Sequence, residues 1–256
     1  MGKAQDAWAE QLAAWAIDPE ILAAAPESPY GFPAGLFGAS RGAESTHRAI
    51  AAALPDGGSL LDIGCGGGAA TIPVAARAGS LLGVDSSEQM LQAFAAAAEA
   101  ADTPVRTWLG PWAEVAADVP IADVAVAANV VYNVPDIGDF LQTMTAHARD
   151  RVVIELTDSH PWTGMAALWR HFHQQDRPDG PSLAEFLDVT NELGLDARVE
   201  TFHRVAVWAS AEPEVVLSFN RRRLCLPVER EPEIAATMRV CAPSPSTTAH
   251  TVWWDA

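Results

Sequence analysis

The sequence predicts an α/β fold, doubly wound around a mostly parallel sheet, and three observations carry that prediction. Short apolar strands alternate with helical stretches between residues 59 and 157. A glycine run stands where the first of those strands hands over to the next segment. The 256 residues are 49% hydrophobic and 19% charged, enough apolar material for one sizeable core and too much for global disorder. Right-handed crossovers then place helices on both faces of the sheet.

Taken in order, residues 5–25 repeat apolar side chains at helical spacing through Trp8, Leu12, Trp15 and Leu22. Pro26, Pro29 and Pro33, interleaved with Tyr30, Gly31, Phe32 and Gly35, make an irregular aromatic segment. A helix over 43–54 stops at the turn Pro55-Asp56-Gly57-Gly58. Residues 59–64 (SLLDIG) read as the first strand and 71–79 as a helix, with Pro73 tolerable only in its first turn. Residues 80–85 (SLLGVD) are the second strand. Residues 86–100 are a helix capped by Ser86 or Ser87, with Glu88 in its first turn. Further strands follow at 104–110, 121–131 and 151–157. Beyond them, Ser182 and Glu185 form a capping box for a helix ending at Gly194. Residues 197–210 alternate like a strand. Pro213 and Pro232, each flanked by glutamates, start helices over 212–224 and 232–240. Residues 247–255 read as a final strand, on which Trp253 and Trp254 face opposite sides, so that at least one packs inward.

Charge narrows the function. Thirty-three acidic residues against sixteen basic ones give a net charge of −17. Such a surface repels phosphate backbones and anionic lipid, so neither nucleic acid nor a membrane is an expected partner. The basic residues are fifteen arginines and a single lysine, Lys3. That removes a Walker A lysine, a kinase strand lysine and a Schiff-base lysine from consideration. Cys65, Cys225 and Cys241 are scattered and odd in number, which points to a reducing compartment. The start MGKAQDAWAE lacks the apolar core of a signal peptide, and no apolar run is long enough for a membrane span. The expected location is cytoplasmic.

The informative stretch is Asp62-Ile63-Gly64-Cys65-Gly66-Gly67-Gly68. Glycine permits a sharp turn and lets a ligand approach the backbone closely. The second strand ends in Asp85, 21 residues after Gly64, where a carboxylate can accept both hydroxyls of a ribose. Gly64, Gly66, Ala69 and Asp85 also fit the dinucleotide fingerprint. That fingerprint usually opens its domain, whereas about 60 residues come first here.

LLDIGCGGG followed by GVDSSEQML resembles the first two motifs of class I S-adenosylmethionine-dependent methyltransferases, and the resemblance extends over 59–157. It implies a doubly wound Rossmann-like sheet of order 3-2-1-4-5-7-6 with the last strand antiparallel. It also implies an N-terminal helical extension and a helical insertion before the last strand. The chain then divides as one methyltransferase domain: 1–55 the extension or lid, 56–210 the Rossmann-like core, 211–245 the insertion and 246–256 the last strand. The cofactor implied is S-adenosyl-L-methionine, leaving as S-adenosyl-L-homocysteine. Asp62 and the backbone of Gly64, Cys65, Gly66 and Gly68 would hold the methionine end, Asp85 the ribose, and Ser86 and Met90 would flank the adenine. Family members often carry an acidic residue after the third strand. This chain has Leu109-Gly110-Pro111-Trp112 instead, and Pro111 and Trp112 are the adenine candidates, Trp112 by packing its ring. Asn129 would lie by the methionine moiety or the transferring methyl.

Ligands of open parallel sheets bind beyond the carboxyl ends of the strands. The acceptor-side candidates are therefore Tyr132 and Asn133 after the fourth strand, and Glu155 and His160 at or after the fifth. Tyr132 would orient an acceptor hydroxyl, Asn133 would bind its polar neighbour, and His160 is the candidate general base because imidazole titrates near neutral pH. Tyr30, Phe32 and Phe37 are lid candidates, and Arg41 or Arg48 candidate partners for a carboxylate. His171, His173 and Asp176 match no strong metal spacing, and no metal is expected. Arg221, Arg222 and Arg223 read as a solvated, salt-bridged helix face. The expected activity is methyl transfer to oxygen or nitrogen of a small organic molecule, with a homodimer as a further candidate partner. No Asn-Pro-Pro-Tyr stands at 129–132, which argues against methylation of DNA bases. The competing readings are an NAD-dependent oxidoreductase, for which no second glycine loop is present, and a non-catalytic cofactor-binding scaffold. A serine hydrolase on Gly38-Ala39-Ser40-Arg41-Gly42 would need a strand that residues 32–37 are poorly suited to form.

Overall fold

The computed structural model describes residues 2–30, 44–206, 209, 211–241 and 246–256. Phe32, Phe37, Arg41 and the Gly38–Gly42 motif lie outside the described residues. Seven strands form one sheet: β1 (Gly58–Ile63), β2 (Ala78–Asp85), β3 (Val105–Leu109), β4 (Ala122–Ala128), β5 (Ala148–Thr157), β6 (Arg198–Val205) and β7 (Ser246–Asp255). Their order is β3-β2-β1-β4-β5-β7-β6. β7 runs antiparallel to both of its neighbours, β5 and β6, while the pairs from β3 through β5 are parallel. This is the expected topology.

The helices, in chain order, are α1 (Lys3–Ala13), α2 (Pro19–Ala23), α3 (Ser45–Ala53), α4 (Glu88–Ala100), α5 (Trp112–Val115), α6 (Ile137–Ala146), α7 (Ala166–His173), α8 (Leu183–Glu192), α9 (Pro213–Arg223) and α10 (Glu231–Val240). Central strand β4 is covered on both faces, which is why it reads as an unbroken apolar run. Ala125 and Ala127 face the core shared with Trp8, Phe140, Leu141 and Phe186, and so α1, α6 and α8. Val124 and Val126 face Ile50 and Phe94, and so α3 and α4. Trp254 packs on the first face, its indole N–H donating to Thr145, and Trp253 lies against the second.

Several boundaries differ from the sequence reading, each for a local reason. Residues 5–25 are two helices: α1 ends at Ala13, and Asp18, held out of the α region ahead of Pro19, caps α2 through Glu20 N at 2.8 Å. The stretch 71–79 is a 3-10 helix over Ile72–Arg77 followed directly by β2. Two β-branched residues and Pro73 are poor material for an α-helix, and the connection is too short to add turns. The fourth strand stops at Ala128 because Asn129 turns left-handed, φ +60°. Strand β6 ends at Val205. Helix α6 went unassigned, although Ile137, Phe140, Leu141 and Met144 recur at helical spacing and are all buried. The capping box of α8 forms as expected.

A third cluster joins Ile17 to Met165, Leu168, Trp169, Leu224 and Ile234, so the N-terminal segment packs against α7, α9 and α10. Arg177 lies over the rings of Trp15 and Trp169, at 5.0 and 4.8 Å, and donates to the carbonyls of Trp15 and Ala16. The arginine cluster on α9 is salt-bridged as expected, but it is not a solvated face. Arg221 is buried and donates to Glu27 and Glu231 at 2.7 and 2.9 Å. Arg223, also buried, stacks over Phe219 and Trp162. The N-terminal segment covers this helix, which its polar sequence does not announce. Among the described residues, no helix is long and apolar enough to cross a membrane, and no group of three metal-ligating side chains converges.

Candidate active site at the strand tips

The glycine loop is bent by the tip of the neighbouring strand. Gly64 N and Cys65 N both donate to Val84 O, at 2.7 and 3.0 Å, which draws the loop over the end of β2. Gly64 has φ +67°, and a Cβ there would sit 2.5 Å from Val130. Gly66, with φ +50°, faces open space: a Cβ would meet nothing within 4 Å. Asp85 closes the other side of that opening. Its carboxylate accepts from Gly66 N at 3.0 Å and from Ser87 N at 2.8 Å. Ser87, and not Ser86, caps α4, leaving Ser86 exposed, while Met90 is buried in the first turn of α4.

Asp62 lies beneath the loop, fully buried, and accepts from the Thr71 hydroxyl at 2.7 Å. Burial pushes its carboxyl up to about 7; the Thr71 bond pulls it down and the charge of Asp85 adds to the rise. A cationic ligand group beside Asp62 would restore its charge. Cys65 contributes backbone only, since its sulfur points toward the ring of Phe94 beside Gly83. Burial, with Asp62 and Asp85 close by, drives its thiol well above the usual range, so it is unreactive.

On the adenine side, Pro111 is exposed at the strand tips, but Trp112 departs from its expected place. Its ring is buried in the core, edge-on to His147 with centroids 4.8 Å apart. His147 precedes β5, at the amino end of that strand, so the indole points away from the tips.

The acceptor-side candidates divide. Asn129 and Glu155 come together: Asn129 N donates to the Glu155 carbonyl at 2.8 Å and Asn129 Nδ2 to the Glu155 carboxylate at 3.2 Å. Two residues the sequence reading did not single out complete this cluster. Arg204 on β6 donates to Glu155 and to Asn129 Oδ1, and Thr46 on α3 donates to Glu155 at 2.5 Å and meets Thr251 at 2.9 Å. Glu155 is therefore a committed ion-pair partner, with no free oxygen edge for a proton in transit. The signal for Arg204 was available: a glutamate inside an apolar strand requires a cation. Tyr132 is buried, with its hydroxyl donating to Thr157 O at 2.8 Å and accepting from Thr157 N at 2.9 Å. Burial raises that phenol to about 12. It ties the end of β5 to the turn after β4, and does not present a free hydroxyl to an acceptor. Asn133 is exposed, beside a surface hollow lined by Leu12, Tyr132 and Pro135.

His160 does not have the character of a general base. Its ring stacks on Trp15 at 3.9 Å, lies edge-on to Tyr132, and its Nδ1 accepts from Trp162 N. Burial first, and then the positive charges of Arg177 and Arg223, lower its pKa to about 3. A ring that gains its proton only there holds none near neutrality. The unfolded chain binds that proton at about 6.5, so this histidine destabilises the fold progressively as pH falls from 6.5 toward 3. The expected NMR titration shows His160 neutral down to pH 4; a midpoint near 6.5 would restore it as a base.

The donor set fits the cofactor that the sequence resemblance implies. An open backbone face at Gly66 admits a ligand, Asp85 offers a carboxylate for a diol, and buried Asp62 suits an ammonium. The sheet order and this loop together define a class I methyltransferase architecture. A family model for the methyltransferase domain matches residues 39–198, and the chain belongs to that family. An uncharacterized protein of Haemophilus influenzae is 32% identical over 104 residues; the match spans 40% of this chain and only 38% of that relative. Among solved structures, a SAM-dependent methyltransferase of Geobacter sulfurreducens in complex with S-adenosyl-L-homocysteine superposes with a TM-score of 0.56 at 17% identity, covering 93% of this chain and 99% of that one. Its counterpart from Thiobacillus denitrificans, also in complex with S-adenosyl-L-homocysteine, gives 0.55 at 17%, covering 94% and 99%. Magnesium protoporphyrin IX methyltransferase of Synechocystis, with bound SAH, gives 0.51 at 15%, covering 80% and 77%.

Proposed function

We propose that the protein transfers the methyl group of S-adenosyl-L-methionine to an oxygen or nitrogen of a small organic molecule. The observation that carries this reading is the pairing of Asp85 with the open face of Gly66, a carboxylate and a bare backbone edge bracketing one space. Bound there, the cofactor supplies a methyl group already activated by a sulfonium.

The protein's own task is then mainly positional. Asp85 holds the ribose hydroxyls, and the amides of the glycine loop and the carboxylate of Asp62 hold the amino-acid end. Asn129, fixed by Glu155 and Arg204, borders the methyl from the tip of β4. The aromatic rings gathered around His160, Trp15 stacked on it and Tyr132 edge-on, favour an apolar or aromatic acceptor. The net charge of −17 supports a small molecule over nucleic acid as the acceptor. With His160 neutral and Tyr132 engaged, the acceptor's proton leaves to solvent or to a group on the acceptor itself.

Calorimetric titration separates this reading from the oxidoreductase alternative. Saturable heat with S-adenosylhomocysteine and none with NADH is the expected pattern. The reverse pattern overturns the assignment.

A further inference from the structure

The first turn of α3 carries two polar atoms that the protein itself leaves unused. Ser45 Oγ and His47 Nδ1 have no hydrogen-bond partner, in residues that are only 1% and 4% exposed. The other ring nitrogen of His47, Nε2, lies 3.0 Å from the carbonyl oxygen of Ala69. A carbonyl only accepts, so Nε2 carries the proton and Nδ1 presents a lone pair. Glu44, at the N-cap of α3, makes no side-chain cap, and the first-turn amides form the positive end of the helix. Ser45 and His47 occupy the first and third positions of the helix, with their Cβ atoms tilted toward that end. Thr46 between them is spoken for, facing Glu155 and Thr251.

The position of this turn gives it meaning. The His47–Ala69 contact sets it against the segment that follows the glycine loop, and the Thr46–Glu155 contact sets it against β5, one hydrogen bond from Asn129. It therefore stands beside the strand tips, on the flank of α3. Buried polar atoms without partners are costly and rare, and two in one turn mark a place for a ligand.

We infer that the first turn of α3 takes an α-amino-carboxylate head group. The carboxylate accepts hydrogen bonds from the Ser45 hydroxyl and the free amides, while the ammonium donates one of its three N–H bonds to His47 Nδ1 and, where the head is the cofactor's, another to Asp62. A lone carboxylate would set an anion against the His47 lone pair, and a lone ammonium would meet the positive helix end; the paired charges of an amino-acid head answer both. Of the nearby ionised groups, Glu155 is paired with Arg204 and Arg48 with Glu200. The head belongs either to S-adenosylmethionine, in which case the inference rests on the function proposed above, or to the methyl acceptor.

Three probes decide: S-adenosylhomocysteine, 5′-methylthioadenosine, which lacks the amino-acid end, and L-methionine, which lacks the nucleoside. Each is titrated against the wild type, Ser45→Ala and His47→Ala. If the head is the cofactor's, either substitution weakens S-adenosylhomocysteine by about tenfold or more, the loss of one hydrogen bond to a charged group. 5′-Methylthioadenosine then binds as before, which also certifies the fold, and S-adenosylhomocysteine displaces L-methionine. If the head is the acceptor's, L-methionine still binds the S-adenosylhomocysteine-loaded protein, and the substitutions remove that binding alone. Should the substitutions change neither S-adenosylhomocysteine nor L-methionine binding, the inference is overturned. If wild type binds neither nucleoside yet binds L-methionine through these residues, the cofactor reading fails and this site stands.

Discussion

Asp85→Ala lowers the affinity for S-adenosylhomocysteine by about 100-fold or more. Two ribose hydroxyls donating to one ionised carboxylate are each worth about 1.5–3 kcal/mol, and ~3 kcal/mol already corresponds to about two decades in Kd. Asp85 also anchors the loop itself, through Gly66 N and Ser87 N, so its loss removes ligand contacts and loosens the backbone that makes the others. 5′-Methylthioadenosine shares the ribose and weakens in parallel, which separates this effect from one at the amino-acid end. Asp85→Asn keeps the volume and loses the charge, and falls between wild type and alanine. Equal affinities in wild type and Asp85→Ala, measured by calorimetry, would remove the ribose from this carboxylate.

Glu155→Ala destabilises the protein by about 3 kcal/mol, the usual cost of removing one partner of a buried ion pair. The Glu155 side chain is 4% exposed and that of Arg204 19%, so solvent can compensate the stranded guanidinium only in part. The same truncation takes acceptors from Asn129 Nδ2 and Thr46 Oγ1. Urea unfolding reads the loss as a lower midpoint at unchanged slope. Glu155→Leu combined with Arg204→Met recovers most of that stability, because well-packed apolar side chains replace such a pair with little loss. If Glu155→Ala alone is neutral, the cluster does not hold the tip of β4.

What could be read beforehand follows from how far each signal reaches along the chain. The glycine loop, Asp85 and the five parallel strands were legible because each depends on residues adjacent in sequence, a run of valines or a turn that needs glycine. The helix read over 71–79 is a shorter 3-10 helix at Ile72–Arg77, because length and β-branching have to be weighed against a tertiary constraint, the start of β2 at Ala78. Trp112 was placed at the adenine on its position alone, and which way an indole turns from a short helix is decided by the core it meets. His160 looked like a base because a free imidazole titrates near neutrality; Trp15 and two arginines, all distant in sequence, change that. Arg204 and His47 escaped notice for the same reason. Their partners, Glu155 and Ala69, lie 49 and 22 residues away.

The placement of β7 between β5 and β6 has a consequence for how the molecule is made. A ribosome delivers β6 well before β7, yet among the described residues β6 has no hydrogen-bonded neighbour in the sheet other than β7. Until residues 246–255 leave the exit tunnel, the nascent chain presents two open edges, at β5 and at β6, and completing the sheet means threading one strand into the gap between them.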